Sequence, residues 1–199
     1  MGQAGITSDL RPRWRALAAA WGASPDAVDA AYADLVARYA EPHRRYHTIE
    51  HIAETLALVD GGAVELAVWF HDVIYDTTTT DSEARSARHA ADVLGLLGAP
   101  ADLIAEVQRL ILLTAGHAVD DDDANGRRLV AADLAILGAD ADRYDRYVTD
   151  VRAEYAQVDD ESWRVGRANV LRSLLDVVDD DRARVNITRE LARLAPPKT

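Results

Sequence analysis

The chain has 199 residues, 49% of them hydrophobic, enough for a substantial core and too many for a wholly disordered chain. Its 34 acidic residues outnumber 22 basic ones, for a net charge of -12, which excludes general binding to nucleic acid or anionic lipid but not to a small phosphorylated molecule. There is no Cys, so disulfides, thiolate ligands and a Cys nucleophile are excluded, and any transition-metal site must be built from His and carboxylate.

The start, MGQAGITSDLRPRW, lacks a basic segment followed by an apolar one, and Ile6 stands where a myristoylation motif needs Ser or Thr. No stretch approaches about 18 apolar residues without a charge. A cytoplasmic protein is the expectation. Helical periodicity dominates and strand alternation is scarce. A first helix is predicted over 9–21, with Asp9 as N-cap and Pro12 in its first turn. Ser24-Pro25 opens a second, running to about Tyr39 and broken by Glu41-Pro42. A third starts near His47 and ends before Gly61-Gly62. The fourth, 63–75, is apolar on most faces and therefore central. TTTTD is a loop, after which Asp81 or Ser82 caps a helix running to Gly98. Pro100-Ala101 begins the next, ending around Gly116, and DDDDANG is a loop. Helices follow over 127–137, 140–156, 160–178 and 181–194, before a fraying APPKT end. The expected fold is all-α, a bundle of nine or ten helices forming one domain over 1–199.

The chemistry centres on His71-Asp72 in the apolar segment AVELAVWFHDVIYD. With 6 His and 25 Asp, about 0.75 such dipeptides arise by chance, so the weight lies in context. An adjacent imidazole and carboxylate are costly to bury unless something satisfies them, and a divalent ion does so economically. Upstream, RRYHTIEHI carries His47 and His51, four apart on a predicted helix and so on one face. Arg44 and Arg45, just before them, can neutralise phosphate charge. Downstream, LVAADLAILG carries Asp133, a lone acid in an apolar stretch that needs either an ion or an Arg. Imidazoles with carboxylates suit Mn, Fe, Ni, Co, Zn or Mg, and the donor set does not choose among them.

The order His … His-Asp … Asp, carried by RYHTIEHI, WFHDVIYD and DLAILG over residues 40–140, resembles the HD superfamily of metal-dependent phosphohydrolases. That resemblance implies one divalent metal held by His47, His71, Asp72 and Asp133, and hydrolysis of a phosphate ester, a nucleotide or other small phosphorylated molecule. Asp72 would bind the ion and orient the attacking water. The segment HDVIYDT is also similar to the HD-x-x-E-D stretch of guanosine tetraphosphate hydrolases, which makes Asp76 a candidate proton shuttle, although Tyr75 replaces the Glu of that group. Glu83 is a second acidic candidate; a Glu there also suits a helix N-terminus. Two-metal relatives carry more histidines between the pair and the late Asp than His89 and His117 supply. A mononuclear site is therefore expected, with His51 and His117 as groups around the ligands or facing substrate.

Other readings compete. HTIEH fits the H-x-x-E-H zinc-peptidase signature with Glu50 as base, but leaves His71-Asp72 and Asp133 unexplained. DDDDANG begins like a calcium loop, yet Ala132 stands where the last ligand Glu belongs. A metal-stabilised bundle that binds a nucleotide without turning it over, and an HD-type iron oxygenase, complete the alternatives.

Overall fold

The computed structural model describes residues 3–195, with side chains from Leu10 onward. The described residues are all-α: ten α-helices, two short 3-10 segments and no strand. No helix among them is long and apolar enough to cross a membrane. The chain divides into two compact units, one reaching Ala132 and one starting at Asp133.

The first unit holds α1 (Gln3–Ala18), a 3-10 turn, α2 (Pro25–Tyr39), α3 (Ile49–Leu56), α4 (Gly62–Phe70), α5 (Ser82–Leu96), α6 (Ala101–Leu113) and α7 (Ala124–Asp133). α1 runs further back than its sequence predicts. It begins at Gln3, so Asp9 lies inside it rather than capping it, and Pro12 is internal. An internal Pro forfeits one backbone hydrogen bond. Packing outweighs that loss: Trp14 and Ala18 are fully buried, and the Trp14 indole donates to Val28 O at 2.9 Å. α2 follows its sequence signals, with Ser24 Oγ accepting from Ala27 N and Pro25 at the first helical position. The terminal residues 196–199, expected to fray, lie outside the described residues.

α4 is the centre of this unit. Every residue from Val64 to Phe70 is buried, and the helix packs against α3, α5 and α6. Burying each large apolar side chain contributes about 1.5–3 kcal/mol. The Trp69 ring meets Trp14 and Tyr32 edge to face, and Tyr39 donates its hydroxyl to Trp69 O at 2.9 Å. One buried acid lies in this apolar run, Glu65, and it is fully engaged. Arg13 of α1 donates Nε to Glu65 and its two terminal nitrogens to Leu56 O, at the last residue of α3, and Val59 O, in the loop beyond it. Glu65 also accepts Gly61 N at 2.6 Å. Arg13 thus caps one helix and pins the start of the next.

The second unit holds a 3-10 segment (Leu134–Gly138), α8 (Ala141–Glu154), α9 (Asp160–Leu175) and α10 (Asp181–Leu194). Its three α-helices each open on an Asp, and Asp140, Asp159 and Asp180 accept from backbone N–H groups of their first turns. Inside it, Glu190 accepts from Tyr144 at 2.7 Å and from Arg167 at 2.8 Å, and Arg167 also donates to Tyr147. Burial, then the hydrogen bond to Glu190, push the Tyr144 phenol well above its usual range.

Replacing Arg13 by Ala should leave Glu65 buried without its cation and two carbonyls uncapped. We expect a loss of about 3 kcal/mol of stability in chemical denaturation of the first unit; a loss below about 0.5 kcal/mol would refute this role for Arg13.

Candidate metal centre

α3 presents His51. Thr48 is its N-cap, Oγ1 accepting from Glu50 N at 3.3 Å, so α3 starts two residues later than expected and His47 precedes it. His47 therefore does not share a helical face with His51. A helical H-x-x-E-H arrangement loses its basis with it. His51 is buried on the inner side of α3, and its carbonyl accepts from Thr55 Oγ1.

α4 presents His71 and Asp72 at its C-terminal end. The helix stops at Phe70, five residues short of the predicted 63–75, because other partners take the next backbone groups. Val73 N turns back to Phe70 O, Ile74 N donates to Ser86 Oγ, and Arg44 takes the carbonyls of Asp72 and Val73. The polar pair consequently sits on the rim of the core rather than within it. His71 is buried, while Asp72 keeps part of its surface open. α7 ends on the third element, Asp133.

The ligand atoms of His51, His71 and Asp133 lie within 4.8 Å of one another, a group that can hold a metal ion. The Nε2 atoms of His51 and His71 are 3.2 Å apart. The other nitrogen of each ring is occupied. His71 Nδ1 is 3.0 Å from Val68 O, to which it can only donate, so Nε2 is the lone-pair nitrogen of the neutral ring. His51 Nδ1 is 3.0 Å from the Tyr46 hydroxyl. Asp72 Oδ2 comes within 3.1 Å of the same His71 Nε2 and 3.7 Å of His51 Nε2. Acceptors converge here, and a proton or a metal cation is what such a point demands. His51, expected around the ligands or facing substrate, stands among the candidate ligands.

His47 is half-buried, stacked on Tyr75 at 4.1 Å, with its ring 6.0 Å from that of His51. Burial alone raises the Asp72 pKa, but the imidazoles of His71, His47 and His51 in their protonated form, with the hydrogen bond that a protonated His71 donates, outweigh it and hold the carboxyl well below its ordinary range.

The remaining candidates have these positions. Asp76 Oδ1 accepts from Thr78 N and Thr78 Oγ1, bonds that keep its pKa low, with Arg85 at 3.8 Å from its other oxygen. Glu83 is half-buried in the first turn of α5. Arg44 is buried and bonded to Glu41 and to backbone carbonyls, whereas Arg45 is exposed and donates to the carbonyls of Pro42 and Arg44. His117 follows α6 in the left-handed region (φ 56°), its N–H donating to Leu113 O as a helix-terminating turn. In DDDDANG, Asp123 caps Gly126 N and pairs with Arg109, and Asn125 donates to Glu106. Sequence reasoning missed Tyr46 and the Val68 carbonyl as partners of the imidazoles. A backbone acceptor leaves no mark in sequence, and Tyr46 lies in a loop with no periodicity to place it.

No protein-family model, curated protein or solved structure matches the chain.

Asp72 supplies a pH signature. Its folded pKa is depressed, so the stability it contributes is present above the unfolded value of about 3.9 and is lost as pH falls through the lower folded value. Thermal melts with chelator present should therefore separate wild type from Asp72→Asn most above about pH 5 and converge near about pH 2. A gap that widened on acidification would refute the assignment.

Proposed function

We propose that this chain is a metal-dependent hydrolase of a phosphate ester, of the HD-superfamily kind, acting on a nucleotide or other small phosphorylated molecule. The supporting observation is the pair of Nε2 atoms facing each other at 3.2 Å with both outer nitrogens engaged. Two imidazoles on one ion with bonds of about 2.1 Å have neighbouring nitrogens about 3.0–3.4 Å apart, so the residues fit a metal. A backbone carbonyl behind an imidazole, as Val68 O stands behind His71, is a usual orienting partner of a metal-binding histidine.

In this reading His51, His71 and Asp133 hold the ion, joined by Asp72 and by His47 from the loop before α3. The ion, when bound, supplies Lewis-acid stabilisation of a phosphoryl oxygen and a water of lowered pKa. The chain supplies the rest. Asp72, ionised and partly open, accepts a hydrogen bond from the attacking water and so aims it. Delivery of a proton to the leaving oxygen falls to Asp76 or Glu83, the two acids of the segment that follows Asp72. Arg45, exposed two residues before His47, and His117 meet the phosphate.

The test is metal content after manganese or iron loading, followed by turnover of p-nitrophenyl phosphate and a nucleotide panel, for wild type, Asp72→Ala and Asp133→Ala. About one ion per chain, lost or strongly weakened in both variants together with at least a hundredfold of the turnover, is the expected result. Ion binding with no turnover of any ester would move the assignment to a non-catalytic metal-binding module. No bound ion would remove the metal reading altogether.

A further inference from the structure

Arg44 has a fully buried side chain in an otherwise polar loop. Its Nε donates to Glu41 at 3.1 Å, one terminal nitrogen to His47 O at 3.0 Å and to Asp72 O at 2.7 Å, and the other to Val73 O at 3.1 Å. The guanidinium also lies against the Tyr39 and Tyr75 rings, 5.2 and 5.6 Å from their centres. Two of the three carbonyls belong to residues read above as metal ligands, 25 positions apart in sequence. The third follows directly.

We infer that Arg44 is a positioning residue: a strut that sets the spacing of His47 against the His71-Asp72 turn, and not a phosphate-binding group. This rests on reading the site as a metal centre. The carbonyls past the end of α4 have no helical partner, and Arg44 satisfies them with a planar, rigid fork. The same fork reaches back to the His47 carbonyl, so one rigid group fixes both backbones. Its charge faces the pole of a helix end and the Glu41 carboxylate, where it is already neutralised. A lysine ammonium presents its three donors from a single point and cannot span these acceptors. An incoming phosphate would have to displace four bonds from a buried group, whereas Arg45 beside it is exposed.

The experiment compares wild type, Arg44→Lys and Arg44→Ala in two measurements: amide hydrogen exchange at Thr48, Val73 and Ile74 with chelator present, and Mn2+ affinity by calorimetry. Expected in both variants are retained helical circular dichroism, exchange at these amides at least about tenfold faster with α6 unchanged, and Mn2+ affinity lower by about 10–100-fold. Added guanidinium ion should recover part of that affinity in Arg44→Ala. Wild-type exchange in the variants overturns the strut whatever the metal does. Mn2+ affinity equal to wild type, or global loss of helix in both variants, overturns the positioning role. Faster local exchange in a protein whose wild type binds no Mn2+ upholds the strut and removes the metal reading instead.

Discussion

Two imidazole nitrogens that face one another in a buried place need a ring proton or a cation between them. At 3.2 Å, with Asp72 alongside, His51 and His71 impose that condition on everything around them. Val68 O fixes His71 so that it cannot rotate its N–H into the gap, and Tyr46 holds His51 from behind. Arg13 anchors the end of α3, the buried run from Val64 to Phe70 anchors α4, and Arg44 ties the loop to the turn. Each of these contacts removes a way for the rings to swing apart, and together they hold the two nitrogens at that separation.

The two buried arginine–acid clusters follow different logic. Glu65 would be an isolated charge in an apolar helix, and Arg13 serves it while capping a neighbouring helix, so one ion pair resolves two deficits. Glu190 in the second unit is satisfied by an arginine and a phenol with no helix end involved. The first cluster shapes the surroundings of the candidate site; the second organises its own unit.

The all-α fold was legible because apolar spacing recurs along the chain: Ser24-Pro25 marks the start of α2, and the starts expected near 140, 160 and 181 fall where α8, α9 and α10 begin. Boundaries went astray where tertiary contacts overrode local preference. Trp14 packing carries α1 through Pro12, and outside hydrogen bonds stop α4 at Phe70. The convergence of His71 and Asp133 was readable as polar groups in apolar runs. The place of His51 was not, because the sequence cannot say that Thr48 rather than a residue before His47 caps α3, nor that Tyr46 turns inward. Arg44 and Arg45 are adjacent and chemically alike, and only the fold separates the buried one from the exposed one.

The burial of α4 has an optical consequence. Of the four tryptophans, Trp14 and Trp69 are fully enclosed, while Trp21 and Trp163 are partly exposed. The Trp69 indole N–H has no hydrogen-bond partner, its carbonyl receives the Tyr39 hydroxyl, and two residues further along the backbone is His71. Such an indole emits toward the blue, is shielded from dissolved quenchers, and collects excitation from Tyr32 beside it. Trp69 thus places a buried chromophore two residues from His71, with the Trp14 ring 5.5 Å away to share its emission.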